Sequence, residues 1–384
     1  MKRHHACSTQ GKLPITDLIE STMKKISSLA YRLTNRIMLW LCMKLQTTRV
    51  YNKPMHALFE MSSSCNLDCP LCNTGGLKHE FKHIKRGNMS FTTFQKGMNT
   101  LLPQLEHILL YNWGGPFLNK DLVRCITYAT SQNVTTQLST NMNLYTQDLG
   151  RGMIESGLTK MVVSCDGLTQ KTYEQYRTGG ELAKVASAVL DLISQKKQTH
   201  SKFPLIEMQF IVFSHNEHEI EAFETYWKNK GVDTVNFIRM SYMSEVGEKV
   251  AKANRMVPQH QDFQPDHPYG SIKKCSFPYG QITLNYNGDW YTCCFPAGET
   301  DYRIDNILTA DFWTVWNGPY YQYSRKLLRT QQIPKGEFQT MCHDCTGIFP
   351  QRDGIRNYWS MSLPVLPMAD ASQARNAGNT EHSS

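Results

Sequence analysis

Cys65-Asn66-Leu67-Asp68-Cys69-Pro70-Leu71-Cys72 places three thiols within eight residues, directly after an apolar run at 56–61. Thiolates this close on one loop can wrap a single metal centre without help from another element. The ligand count is the informative part. A closed structural zinc site or an ordinary [4Fe–4S] cluster takes four protein ligands. Three leave one coordination position that a small molecule can fill. Zinc completed by His79 or His83 is the competing reading, although zinc ligands usually come as two separated Cys-x-x-Cys knuckles.

Working outward from that loop, short apolar runs at 56–61, 107–112, 135–139, 160–165, 206–213 and 234–239 alternate with helical-period stretches such as 91–105, 181–195 and 217–230. Repeated strand–helix units predict an α/β fold with a parallel sheet, open or curled into a barrel. Chemistry in such sheets collects at the C-terminal strand ends, where the cysteine loop stands.

The Cys-x3-Cys-x2-Cys spacing after a first strand resembles the signature of the radical S-adenosylmethionine (SAM) superfamily. The resemblance implies a partial (β/α)6 TIM-type barrel. It also implies that Cys65, Cys69 and Cys72 hold a [4Fe–4S] cluster whose fourth iron is chelated by SAM, with Leu71 packing near adenine. Reductive cleavage of SAM then yields a 5′-deoxyadenosyl radical that takes hydrogen from a substrate. Trp113-Gly114-Gly115-Pro116 is similar to the family's Gly-Gly-Glu-Pro segment, which binds the SAM amino group through backbone groups; Gly115 stands where Glu is usual. Ser139-Thr140-Asn141 resembles a Thr-Asn-Gly turn, with Met142 in place of Gly. Ser164-Cys165-Asp166-Gly167 resembles an element near the SAM ribose and carboxylate. Arg177 matches an arginine that pairs with that carboxylate, a task suited to its two parallel donors. Singly these are weak signals, since an Asp-Gly is usually a turn and an Arg usually surface; their order and strand-end placement give them weight together.

A second set, Cys275, Cys293, Cys342 and Cys345, offers a complete four-ligand shell for another [4Fe–4S] cluster. Asn287-Gly288 supplies hairpin turn chemistry between its first two members. The set resembles the auxiliary-cluster SPASM and twitch domains of radical SAM enzymes. No cysteine follows Cys345, so the resemblance is to the shorter, one-cluster form. A zinc ribbon is the alternative, and Cys294 competes with Cys293 as ligand. Of the remaining cysteines, Cys165 sits at a strand end where a thiol could return a hydrogen atom to a substrate radical; a packing role is the plainer reading.

Composition sets the outer bounds. The 384 residues are 40% hydrophobic, enough for a large domain and a smaller one without disulfides. A net charge of +8 is modest, and no basic block interleaved with aromatics argues for nucleic acid. The basic start lacks a following apolar run, so the reading is cytoplasmic, where twelve cysteines are expected to serve metals. The expected organisation is an N-terminal helical extension at 1–54, a barrel at 55–240, a linker at 241–270, an auxiliary-cluster domain at 271–350 and a C-terminal segment with a disordered tail at 351–384. In the extension, Leu29, Leu33 and Ile37 recur at helical spacing among basic residues. Both a helix packed on the catalytic domain and a basic amphipathic helix lying on a membrane fit that pattern.

The expected partner is a substrate, with a low-potential electron donor such as a flavodoxin or ferredoxin implied by the family. The short, helical extension favours a sugar, aminocyclitol or other small biosynthetic molecule, oxidised or epimerised, over a peptide. Radical SAM peptide maturation is the runner-up, and a non-catalytic zinc protein is the reading of another class.

Overall fold

Six of the expected strands form, and they pair strictly in chain order. This computed structural model describes residues 15–240, 242, 245–264, 275–294, 300–330, 332, 340–343 and 345, with side chains from Ser27 onward. Strands β1 (His56–Phe59), β2 (His107–Leu109), β3 (Thr135–Thr140), β4 (Lys160–Ser164), β5 (Leu205–Val212) and β6 (Thr234–Arg239) are all parallel, each beside its predecessor. Adding every strand on the same side is the succession of a barrel; a doubly wound sheet reverses its order. No pairing joins β1 to β6 among the described residues. Instead β7 (Gln281–Leu284) lies parallel to the free edge of β1, and β8 (Asp289–Tyr291) and β9 (Asp305–Asn306) extend the sheet antiparallel. The C-terminal cysteine region is thus hydrogen-bonded into the barrel sheet.

Helix α1 (Ile15–Lys44) precedes the sheet. Crossovers α2 (Phe91–Leu101), α3 (Leu122–Ser131), α4 (Gln147–Glu155), α5 (Gln170–Tyr173), α6 (Leu182–Gln198) and α7 (Ile220–Lys230) follow the first five strands. Ser90, Thr146 and Thr169 accept hydrogen bonds from Thr93, Leu149 and Thr172 N–H groups, capping α2, α4 and α5. Gly231, at φ +94°, closes α7 in the left-handed conformation that only glycine adopts cheaply. The expected helix at 91–105 stops earlier, at Leu101, because Pro103 removes a donor and restricts Leu102. The expected turn at Asn287-Gly288 forms, with Gly288 at φ +87° between β7 and β8.

Strand alternation sorts the residues into two faces. Ala57, Phe59, Ile108, Leu138, Met161, Val163, Ile206, Met208 and Phe210 point outward into one core shared with the crossover helices. Each fully buried large apolar side chain there contributes about 1.5–3 kcal/mol. The inward face is a different mixture: Tyr111, Gln137, Ser139, Lys160, Ser164, Glu207, Gln209 and Asn236. Polar side chains at every second position line a cavity that the barrel itself does not fill. The linker expected at 241–270 contains helix α8 (Glu245–Ala253); residues 265–270, the tail at 351–384 and Cys7 lie outside the described residues.

Candidate active site

The three-cysteine loop leaves β1 and folds back on itself through short backbone hydrogen bonds. Cys72 N–H donates to Cys69 O at 3.0 Å, Gly76 N–H to Cys69 O at 2.9 Å and Leu77 N–H to Cys72 O at 3.0 Å. This turn requires glycine: a Cβ at Gly75 would lie 2.7 Å from the Cys69 backbone, and one at Gly76 2.7 Å from Pro70. Cys69 is buried, whereas Cys65 and Cys72 are half-buried. All three border one cavity of about 790 Å³ at the C-terminal ends of β2–β6.

Burial pushes the Cys69 thiol up to about 12, with the neighbouring Cys72 and Cys65 adding to the rise and Arg177 opposing it. Such thiols stay protonated until a metal ionises them outright. Three thiols on one loop, all bordering a cavity with room beside them for a further ligand, fit an iron–sulfur group.

Around the thiols, Leu71, Gly114, Gly115, Pro116, Ser139, Asn141, Ser164 and Arg177 line the same cavity. A Cβ at Gly114 would stand 2.1 Å from Ser62 O, so glycine is what lets this segment lie against the strand leading to Cys65. Gly115 donates its N–H to Ser64 O at 2.7 Å. A Cβ there would clear every neighbour by at least 3.5 Å, so space does not impose glycine at that position. Asn141 Nδ2 lies 3.8 Å from Cys65 Sγ and donates to Asn66 Oδ1 at 3.0 Å. Met142 occupies the left-handed region at φ +60° with its side chain in the core, so packing holds a conformation that glycine would take freely.

Asp166 stands apart from the cavity that the resemblance implied for it, and Cys165 takes the packing position that was its plainer reading. Asp166 is fully buried and absent from the cavity wall; it accepts from Arg177 Nε at 2.5 Å and from Ile211 N–H at 2.7 Å. Burial raises its carboxyl, while Arg177 and the Ile211 N–H pull it back. Its work is to hold Arg177, whose NH1 lies 4.0 Å from Cys69 Sγ. Cys165 alternates to the outer face, fully buried in the core, and its thiol meets Gly167 O at 3.6 Å. A thiol turned into the core is not placed to deliver hydrogen into the cavity.

Sequence reading missed the cavity floor. Lys160 Nζ lies 2.7 Å from Glu207 Oε2, with both side chains largely buried. Asn236 Nδ2 donates to Glu207 Oε1 at 3.3 Å. Gln137 Nε2 donates to the Tyr111 hydroxyl at 3.0 Å, which burial pushes up to about 12. Among the described residues, the buried Oε1 of Gln137 has no partner. The signal that could have revealed them is polar residues at period two inside otherwise apolar strands.

The second cysteine set assembles from distant segments. Cys275 precedes a short helix α9 (Phe277–Gly280); Cys293 and Cys294 follow β8; Cys342 and Cys345 come after α10 (Phe312–Trp316) and α11 (Pro319–Thr330). Cys275 feels the charges of Cys345 and Cys294, and Cys342 those of Cys275 and Cys345. Burial pushes Cys275 up to about 12. Cys293 and Cys342 both face the Tyr320 hydroxyl electrostatically. Cys294 packs on Leu58 and Leu109, and its carbonyl accepts from Asn112 Nδ2 at 3.0 Å, tying this set to the cavity rim.

Residues 275–346 match the SPASM iron–sulfur cluster-binding domain. The fold is similar to that of anSMEcpe with bound AdoMet (TM-score 0.52, 17% identity, covering 70% of this chain and 79% of that one). It is also similar to that of Streptococcus suis SuiB bound to S-adenosylmethionine (TM-score 0.52, 14% identity, covering 72% and 68%). The chain thus shares the fold of these SAM-bound structures and carries a SPASM match at its C-terminal end. Both of those structures hold S-adenosylmethionine, and the matched C-terminal family is one that binds iron–sulfur clusters. Among curated relatives, the tungsten-containing aldehyde ferredoxin oxidoreductase cofactor-modifying protein of Pyrococcus furiosus is 23% identical over 318 residues, 75% of this chain and 86% of that protein. The AdoMet-dependent heme synthase of Methanosarcina barkeri is 22% identical over 126 residues, and this chain spans only 35% of its length.

Proposed function

We propose that this chain is a radical SAM enzyme and acts as an oxidoreductase on a polar small molecule of the sugar or aminocyclitol kind. The observation that carries this reading is the cavity floor. Lys160, Glu207, Asn236, Gln137 and Tyr111 face the same space as the three loop thiols and offer donors and acceptors at fixed positions. Buried polar groups of this density reject apolar occupants, because each would lose its partners.

In this reading Cys65, Cys69 and Cys72 hold a [4Fe–4S] cluster, and Cys275, Cys293, Cys342 and Cys345 hold an auxiliary one. When bound and reduced, the first cluster supplies the electron that cleaves SAM to methionine and a 5′-deoxyadenosyl radical. Arg177, locked by Asp166, presents its guanidinium to the SAM carboxylate. The backbone at Gly114 and Gly115 meets the SAM amino group, and Leu71 offers an apolar wall to adenine. Ser139, Asn141 and Ser164 edge the remaining space. Tyr176 and Phe213, whose ring centroids are 4.4 Å apart, shield the loop from water. The Lys160–Glu207 pair and Asn236 orient substrate hydroxyl or amino groups. With Cys165 turned into the core, oxidation is favoured over an epimerisation that would use that thiol. The reading includes a cytoplasmic setting and a low-potential electron donor.

The test is label transfer. Anaerobically reconstituted, reduced enzyme is given SAM with deuterated polyols and aminocyclitols, or with deuterated peptides, and the 5′-deoxyadenosine is weighed. Deuterium arriving from a polyol or aminocyclitol supports the proposal. Deuterium arriving only from peptide assigns the enzyme to peptide maturation, and zinc with no SAM cleavage assigns it to the non-catalytic class.

A further inference from the structure

Among its described side chains, helix α1 shows two distinct faces, one packed on the fold and one open. On the inner face, Arg32 donates to Pro103 O at 3.1 Å and Asn133 O at 3.0 Å, and Arg36 pairs with Glu106. Asn35 exchanges hydrogen bonds with Lys53 through both backbone groups, at 2.9 and 2.8 Å. Cys42 is buried, and Leu39 and Met43 pack on the core. These anchors all lie just before β1, β2 and β3, so α1 crosses the N-terminal ends of the strands. The cavity opens at the opposite end.

The outer face is apolar and open. Leu29, Leu33, Ile37 and Trp40, recurring every three or four residues, are each between 52% and 69% exposed. At a rise of 1.5 Å per residue this stripe runs about 17 Å. A soluble helix normally places polar residues here, and its charged face outward. Instead the charges beside the stripe have one sign: Lys44 and Arg49 are exposed, and no Asp or Glu occurs anywhere from Ser27 to Phe59. Among the described residues no helix is long and apolar enough to cross a membrane.

We infer that α1 seats the enzyme on the surface of an anionic bilayer, lying in the interface with this stripe turned into the acyl boundary. A stripe bearing Trp and long aliphatic residues suits the depth of the headgroup–acyl boundary. Lys44 and Arg49 provide the complement to anionic headgroups, where each basic residue strengthens binding. Seated this way, the cavity mouth faces away from the bilayer, so substrate and electron donor approach from the aqueous side.

Co-sedimentation of the full, iron-loaded chain with vesicles tests this. The vesicles are phosphatidylcholine alone, or phosphatidylcholine with an equal part of phosphatidylglycerol. Native protein should pellet with the anionic vesicles at least about tenfold more strongly than with neutral ones, and less as salt rises. The Ile37→Ser/Trp40→Ser variant should lose binding to both by about tenfold or more. The Lys44→Glu/Arg49→Glu variant should lose the anionic preference. Neither variant touches the cavity, so unchanged iron content and SAM cleavage would certify their folding. Failure of the native chain to pellet, or pelleting unaltered by Ile37→Ser/Trp40→Ser, would overturn the inference. So would vesicle-free self-association that this variant abolishes, which would give the stripe to a second copy of the chain.

Discussion

Two cysteine sets share this chain, and the chain delivers them in opposite ways. The first comes from one loop, eight residues long, whose three thiols border an open cavity. Its backbone is closed by local hydrogen bonds and by glycines at Gly75 and Gly76, so the loop keeps its shape from within. The second draws on segments far apart in sequence, from Cys275 to Cys345, and sets Cys342 near Tyr320 and Tyr321. On the proposed reading, the local loop with its three ligands admits a small molecule at the remaining position, whereas the set gathered from distant segments holds those segments together, because its metal affinity would also be folding energy.

Breaking the second set should therefore cost far more stability than breaking the first. The Cys342→Ala/Cys345→Ala variant is expected to lose about 4 kcal/mol or more in denaturant unfolding and about half its iron. Within that set, Cys293→Ala should lose the auxiliary iron and Cys294→Ala should keep it, as read by iron analysis and EPR; the reverse result moves the ligand to Cys294.

Next in size is Arg177, which joins the first loop to the barrel. Arg177→Ala strands the fully buried Asp166 carboxylate and should cost about 3–5 kcal/mol of stability. Arg177→Lys keeps a charge but not the fork. It should leave the melting temperature near native while weakening SAM binding about tenfold in equilibrium dialysis.

Much of this was legible beforehand, for identifiable reasons. The six parallel strands were readable because outward residues such as Ile108, Met161 and Met208 pack on helices and so must be apolar. The thiols of the first loop were readable because their spacing is a local property. The role of Asp166 was not, because its partners Arg177 and Ile211 are brought by other elements. The Lys160–Glu207 floor escaped because period-two polar residues mark a strand's second face without saying which partner strand stands opposite. Register likewise decided Cys165, one residue from the cavity-facing Ser164.

Glu60 offers a pH test near the first loop. It is fully buried, accepts from Trp113 N–H at 3.2 Å, and burial pushes it up to about 8 from an ordinary 4.5. Because the folded state holds this proton more tightly than the unfolded chain, the associated stability is complete below about 4.5 and is lost as the pH climbs to about 8. Glu60→Gln removes the titration. It should flatten the pH profile of thermal stability across that window and gain on the order of 3 kcal/mol over the native protein at the alkaline end.

The smallest effect belongs to Cys165. Cys165→Ala removes a core sulfur only, and should cost about 1 kcal/mol while SAM cleavage and product formation continue. Release of 5′-deoxyadenosine without product from this variant would return the thiol to the chemistry.

Whether the first loop alone holds the SAM-cleaving cluster is decided by the Cys65→Ala/Cys69→Ala/Cys72→Ala variant, purified without oxygen and reduced in the presence of SAM. Iron, sulfide and 5′-deoxyadenosine are measured together. The expected result is roughly four iron and four sulfide per chain, a near-native unfolding midpoint and no 5′-deoxyadenosine above background. Persistent 5′-deoxyadenosine, or loss of all the iron with the fold, would contradict the division of labour between the two cysteine sets.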